Sequence, residues 1–151
     1  MENRAVLPSV DPAKLMSVSL DLKQLAEALL PPALARPVDA AFVRQIIRGR
    51  RERDRHFERD LFADPAWDMM LDLYAAGLEC RNVSVSSLCT AAAVPPTTAL
   101  RWISLLTAKG LLTRKADPVD TRRVLVELSD DATERMNAYF AVVQRRGDLA
   151  V

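Results

Sequence analysis

The sequence predicts a mainly α-helical fold that carries one small β-hairpin, an α+β arrangement. Two observations lead to this prediction. Over most of the chain, apolar residues recur at the three- and four-residue steps of amphipathic helices, and prolines and glycines separate the helical segments. After Gly110, apolar residues instead alternate with polar ones, which is typical of half-buried strands. With 151 residues, 50% of them hydrophobic, the chain is long enough to fold around a core.

The N-terminal region, residues 1–62, is predicted to be a helical arm that mediates dimerisation. Between Pro12 and Leu30, five apolar residues recur at alternating steps of three and four, a two-heptad seam suited to packing against another helix. These residues are Leu15, Val18, Leu22, Leu25 and Leu29. The alternative is an ordinary amphipathic helix that packs on the core of its own chain.

A second helix is predicted after Pro37, and its apolar pattern ends at Ile47. The charged segment 48–59 follows, and its first nine residues, RGRRERDRH, hold no apolar side chain. We therefore expect any helix there to have no buried face, as a solvated helix or a linker. The alternative is that arginines of this segment contact phosphate, namely Arg50, Arg51 or Arg55.

The central region, residues 63–129, begins with two helices whose ends are marked by their residue types. Asp64 is suited to an N-cap and Pro65 to a first helical position, because a carboxylate accepts the free N–H groups there and proline has none to offer. This helix is expected to end near Gly77. Ser84 is suited to cap the short helix that follows.

The next helix, residues 95–109, opens with two prolines and ends before Gly110. With the short helix before it, it makes a helix-turn-helix. The face opposite its apolar residues carries hydroxyl groups and a guanidinium, which reach phosphates and base edges when a helix lies in a DNA major groove. These residues are Thr97, Thr98, Arg101 and Ser104. An ordinary polar helix face is the alternative.

The alternating segments predict strands at 111–115 and 123–128, and a hairpin directly after a helix-turn-helix makes a winged helix. The wing, residues 112–128, carries four basic side chains: Arg114, Lys115, Arg122 and Arg123. We expect Arg122 or Arg123 to enter a minor groove, and Asp120 to orient the Arg122 guanidinium. The alternative is a solvated hairpin with a routine surface ion pair.

Two further expectations concern the C-terminal part of the chain. In the second strand, alternation places Val124 and Val126 on one face and Leu125 on the other. The C-terminal region, residues 130–151, is predicted to be a helix that begins after Ser129. The fold as a whole is therefore a winged helix-turn-helix core flanked by N- and C-terminal helices.

The sequence holds no motif for catalysis, for a cofactor or for a metal ion. Its single histidine, His56, lies in the charged segment, and its four glycines form no phosphate-binding loop. Cys80 and Cys89 are expected to be small buried thiols, with a redox-sensing pair as the alternative. No apolar stretch approaches the ~18 residues of a membrane span. We therefore predict a cytoplasmic protein that is not an enzyme and needs no cofactor.

Residues 83–136 resemble the winged-helix core of the MarR family of bacterial transcription regulators. The resemblance depends on Lys109-Gly110-Leu111 after the recognition helix and on Asp117-Pro118 with Asp120-Thr121-Arg122 in the wing. It implies a dimeric, sequence-specific DNA-binding protein, with Thr98 and Arg101 in the major groove and Arg122 in the minor groove. It leaves a small-molecule effector open, with no residue here that supports one.

The sequence thus predicts a homodimeric transcription regulator that binds double-stranded DNA, with helix 95–109 in the major groove and wing 112–128 in the minor groove. The net charge of +1 conceals an uneven distribution, because residues 101–123 hold six basic and two acidic side chains. That basic segment suits contact with phosphates. The alternative function is a winged-helix adaptor that binds another protein, since the fold alone does not determine function.

Overall fold

The computed structural model describes residues 11, 14, 17, 18, 21, 22 and 38–146. Residues 38–146 form five helices and one three-stranded antiparallel sheet, an α+β winged-helix fold. The elements are α1 (Ala40–Arg53), α2 (Pro65–Leu78), β1 (Val83–Ser84), α3 (Val85–Ala91), α4 (Pro96–Ala108), β2 (Leu112–Ala116), β3 (Val124–Leu128) and α5 (Asp130–Arg146). The predicted fold class is confirmed.

The chain divides into two compact units, residues 1–36 and 37–151. In the first unit, Val18 and Leu22 of the predicted seam are helical and more than half exposed. The other three seam residues, Leu15, Leu25 and Leu29, lie outside the described residues. The dimerisation role of the seam therefore stays a prediction.

The helix ends in the second unit form where local chemistry predicts them. Asp64 accepts a hydrogen bond from the Trp67 N–H at 3.3 Å, and Ser84 Oγ accepts one from the Ser87 N–H at 3.2 Å. Helix α4 ends at Ala108, and Gly110 follows its cap with a φ of +72°, a left-handed conformation that glycine adopts without steric cost. The capping predictions for these helices are confirmed.

Helix α2 lies between two hydrophobic clusters. Met69 and Leu73 pack into the first cluster, with residues of α3, α4 and the sheet. Leu71 and Tyr74 pack into the second, with α1 and α5. Phe140 of α5 is fully buried there and contacts the rings of Phe42, Tyr74 and Tyr139. The helix-turn-helix and the wing thus pack against one side of α2, and α1 and α5 pack against its other side.

The sheet has the order β1-β3-β2, so β3 is the central strand. The wing register pairs Arg114 with Val126. The expectation of a half-buried strand is wrong at the centre of β3, because Leu125 and Val126 are both only 2% exposed. Side chains of adjacent strand residues point to opposite faces, so both faces of β3 are covered at this point, and helices α2, α3 and α5 all contact the strand. Val124, by contrast, is exposed.

The charged segment also differs from its prediction. Helix α1 continues to Arg53 and has a buried face there, since Arg50 is only 7% exposed. Arg50 Nε donates to Oδ1 of Asp68 in α2 at 2.7 Å, and Arg51 Nη1 lies 3.3 Å from Oδ2 of the same carboxylate. The prediction that this segment has no buried face is wrong because α2 supplies a buried partner. Arg55 pairs at the surface with Glu52, at 3.0 Å.

The two cysteines are both free thiols, and the expectation that both are buried is wrong for Cys80. It is exposed in the turn after α2, with a φ of +53°, whereas Cys89 in α3 is partly buried. Among the described residues, no helix is long and apolar enough to cross a membrane. Within the same residues, no three His, Cys, Asp or Glu side chains are grouped so as to hold a metal ion.

Candidate nucleic-acid interface

Helix α4 is anchored by one face and presents the other to solvent. Ala99, Ile103 and Leu106 are buried in the core beneath it. The four α4 residues that were predicted to contact DNA lie on the remaining surface, where Thr97, Arg101 and Ser104 are exposed and Thr98 is partly buried. The structure therefore brings these four side chains together on one accessible helix surface.

Arg101 differs from most of the arginines that the structure describes because its guanidinium is not engaged. Among the contacts of residues 38–146, it has neither a hydrogen bond nor an ion pair, whereas Arg44, Arg50 and Arg51 each hold carboxylates. Its donors are therefore available to an external acceptor, such as a guanine edge or a phosphate.

Exposed apolar side chains on α4 were not among the sequence predictions. Leu100 and Leu105 are both more than 40% exposed. Their positions beside Arg101 and Ser104 in the helix place them next to the polar surface. Apolar side chains at such positions are suited to contact thymine methyl groups or another protein.

The turn of the wing is organised by Asp117, which was not among the predicted site residues. This carboxylate is buried and accepts hydrogen bonds from the backbone N–H groups of Val119 and Asp120 at 2.9 and 3.4 Å. An Asp followed by Pro is a sequence signal for such a side-chain-closed turn. Asp117 also lies 3.8 Å from Nη1 of Arg123, so it holds one basic side chain of the wing.

Arg122 is 91% exposed on the turn of the wing. Its Nε donates to Oδ1 of Asp120 at 3.4 Å, and its backbone N–H donates to the same oxygen at 3.1 Å. One carboxylate therefore contacts both the backbone and the side chain of Arg122. This geometry agrees with an orienting role for Asp120, which stays a prediction.

The remaining basic residues of the wing have different surroundings. Arg114 Nη2 donates to Ser104 Oγ at 3.5 Å, which links β2 to the polar surface of α4. Lys115 forms an ion pair with Glu127 on the neighbouring strand. The charge of Lys115 is therefore partly neutralised, and it is the weakest candidate of the predicted set for contact with DNA.

An open cleft of about 790 Å³ lies between α3, the start of α4 and the wing. The wing side presents three arginines, which are Arg114, Arg122 and Arg123. Ser86 and Thr90 of α3 line the opposite side with hydroxyl groups, and Leu100 adds an apolar contact. None of the described residues that line the cleft is acidic. A concave surface with charge of one sign concentrates a positive potential, which favours a polyanion.

A comparison with solved structures supports the fold. Neither a protein family nor a curated protein matches this sequence. Among solved structures, S. aureus MepR bound to ethidium bromide is 14% identical over 91% of this chain and 79% of its own, with a TM-score of 0.50. The S. aureus MepR–DNA complex is 14% identical over 89% of this chain and 84% of its own, with a TM-score of 0.49.

A probable transcriptional regulator from Pseudomonas aeruginosa is 26% identical, but the match covers only 54% of this chain and 58% of that one, with a TM-score of 0.44. A match to a MepR mutant from a multidrug-resistant S. aureus clinical isolate likewise spans about half of that protein, 53% of its length. The likeness is thus one of fold, and the fold that the MarR resemblance implies is confirmed.

Proposed function

We propose that the protein is a sequence-specific transcription regulator of MarR type that binds double-stranded DNA as a homodimer in the bacterial cytoplasm. Helix α4 enters the major groove and the wing, residues 112–128, contacts the minor groove. The observation that carries this proposal is the unengaged Arg101 on the exposed face of α4, beside a cleft walled by three arginines. MepR, which has a similar fold, has also been solved in complex with DNA.

The proposed roles follow from exposure and pairing. Arg101 contacts a base edge, because a guanidinium with free donors matches the two acceptors of guanine. Thr97, Thr98 and Ser104 contact phosphates or thymine methyl groups around it. Arg122, held by Asp120, enters the minor groove, where a narrow A·T tract has an enhanced negative potential.

Three further residues contribute phosphate contacts from the wing in this proposal. Arg114 is linked to the α4 surface through Ser104, and Arg123 lines the cleft while it contacts Asp117. Lys115 contributes least, since Glu127 already holds it. Phosphate contacts fix the position of the protein on the duplex without reading its sequence.

The homodimer gives two copies of α4 that read half-sites about 34 Å apart, one turn of DNA. The N-terminal seam is the proposed contact between the copies. Its described members, Val18 and Leu22, are exposed in the single chain, as a dimer contact requires. A two-fold protein requires a near-palindromic site.

The proposal is tested by titrating labelled duplexes with the protein at a series of salt concentrations. Arg101→Ala should lose about 1–3 kcal/mol of binding to the preferred duplex and much less to a scrambled one. Arg122→Ala should weaken both, and reduce the slope of log affinity against log salt by about 1. Arg48→Ala is the matched control, because Arg48 is exposed on α1 and does not line the cleft. Binding unaffected by both interface variants would refute the proposal.

A second function, a winged-helix adaptor that binds another protein, is favoured by the exposed Leu100 and Leu105. Such side chains are typical of protein contact surfaces. The two functions differ in salt dependence. An adaptor would bind no duplex even at low salt, and Arg101→Ala would leave the capture of its partner intact while Leu100→Asp abolished it.

A further inference from the structure

Arg50 has a buried donor with no acceptor. Its Nε donates to Asp68, but its Nη2 has no hydrogen-bond partner among the described residues. Oδ2 of Asp64 lies 3.9 Å from this Nη2, beyond hydrogen-bonding distance. The side chain as a whole is more than nine-tenths buried. An unsatisfied charged donor in such a position is costly, so an acceptor is expected beside it.

Arg50 lines a small, largely enclosed cavity between α1, the segment before α2 and the turn after α3. The cavity volume is about 10 Å³, which is room for one particle of about the size of water. Phe62 forms part of its wall, and Arg53 lies over the ring of Phe62 at 5.4 Å. A phosphate, sulfate or carboxylate is too large for this space.

The cavity has an excess of positive charge. Its lining includes Arg50, Arg51, Arg53 and Arg59 against two carboxylates, Asp54 and Asp68. Even with the neighbouring Asp64 included, four guanidiniums face three carboxylates. Arg59 is exposed and makes no hydrogen bond or ion pair with any described residue. One monovalent acceptor would therefore satisfy the free Nη2 and balance the remaining charge.

We propose that this cavity binds a monatomic anion, a halide such as chloride, against Nη2 of Arg50. A halide only accepts hydrogen bonds, which suits a cavity lined by more guanidiniums than carboxylates, and it carries the charge that a water molecule lacks. The site lies where Arg51 joins α1 to the Ala91 carbonyl at the end of α3. A bound halide thus stabilises the contact between α1 and the helix-turn-helix.

Thermal unfolding of the full chain in sodium chloride and in sodium gluconate, at equal ionic strength, tests this proposal. Gluconate is too large for the cavity, so only chloride should raise Tm, by about 5 °C at ten times its dissociation constant. Arg59→Gln should reduce this chloride-specific rise by at least about half. Arg55→Gln is the matched control, because Arg55 is an exposed arginine of the same segment that does not line the cavity.

A crystal grown in bromide gives a second measurement that does not depend on stability. The proposal expects an anomalous peak in contact with Arg50 Nη2. Equal rises of Tm in chloride and gluconate, an unchanged chloride response in Arg59→Gln, or a cavity without bromide would each overturn it. The last result would mean that water satisfies Arg50. Neither measurement involves DNA, so the outcome is independent of the proposed function.

Discussion

Asp68 joins two arginines of α1 to helix α2, and replacing it with alanine should be severely destabilising. Its Oδ1 accepts from Arg50 Nε at 2.7 Å, and its Oδ2 lies 3.3 Å from Arg51 Nη1. Arg50 and Asp68 are both more than nine-tenths buried. In Asp68→Ala, the Arg50 guanidinium stays buried without its partner.

The expected cost in the free energy of unfolding is about 3–5 kcal/mol, the usual penalty for removing one partner of a buried pair. A domain of this size has about 5–15 kcal/mol in total, so the variant should be close to unfolding. The double variant Arg50→Met with Asp68→Leu should recover most of the loss. Arg51 also loses Asp68 in this variant, but its side chain is 33% exposed and keeps Asp54 at 4.0 Å. The double replacement therefore leaves no buried unpaired charge, and such swaps are often neutral or stabilising.

Urea unfolding followed by circular dichroism measures both variants, with the slope m checked for constancy. The matched control is Asp131→Ala, which removes a carboxylate from an exposed pair with Arg135 at 2.9 Å and should cost less than about 1 kcal/mol. A cost below about 1 kcal/mol for Asp68→Ala would refute the reasoning. A double variant as unstable as the single one would also refute it.

Three further changes have expected results. A side-chain hydrogen bond from Arg44 lowers the pKa of Glu79 from 4.5 to about 2, so its stabilising contribution is complete above pH 4.5 and is lost as pH falls towards 2. When Tm is measured as a function of pH, the Tm of Glu79→Gln should therefore fall less steeply between pH 4.5 and about 2 than that of the unchanged protein. Phe140→Ala should lose about 3–5 kcal/mol in urea unfolding, because it empties a fully buried site among three rings; a loss under about 1 kcal/mol would contradict this packing. Gly110→Ala should lower Tm, since alanine is strained at a φ of +72°, whereas Gly77→Ala inside α2 should raise it. Apart from adjoining residues and the backbone of α2 itself, neither new methyl group meets an atom within 4 Å, so equal shifts would contradict the backbone argument.

The features that the sequence predicted well are those decided by neighbouring residues. The helix ends depend on residues only a few positions away, because the side chains of Asp64 and Ser84 accept nearby backbone N–H groups and Gly110 adopts a left-handed conformation. These residue types therefore predict the helix ends. The exposed polar face of α4 was predictable for the same reason, because helical period alone separates it from Ala99 and Ile103.

The features that the sequence did not predict depend on distant partners. Arg50 is buried only because Asp68, in another helix, accepts its hydrogen bond. Leu125 is buried because helices cover both faces of the central strand, which a period of two cannot reveal. Ser86 and Thr90 form the hydroxyl side of the cleft because the fold brings α3 opposite the wing, and local sequence patterns do not predict that arrangement.

The candidate interface was therefore predictable residue by residue on α4 and the wing, but its shape was not. The sequence identified the basic side chains, but it did not show which of them form ion pairs with carboxylates. Lys115 forms an ion pair with Glu127, whereas Arg101 has no hydrogen bond or ion pair among the described contacts. Pairing across a sheet depends on register, which the turn and the hydrophobic pattern set together.

The most direct test is the selection of bound duplexes from a random-sequence pool by the 151-residue chain at fixed salt. Sequence-specific recognition by a homodimer predicts the enrichment of one two-fold-symmetric motif, with half-sites about one helical turn apart. Arg101→Ala should flatten the base preference at one position of each half-site. A recovered pool with the same base composition as the input, with no symmetric motif, would contradict the account.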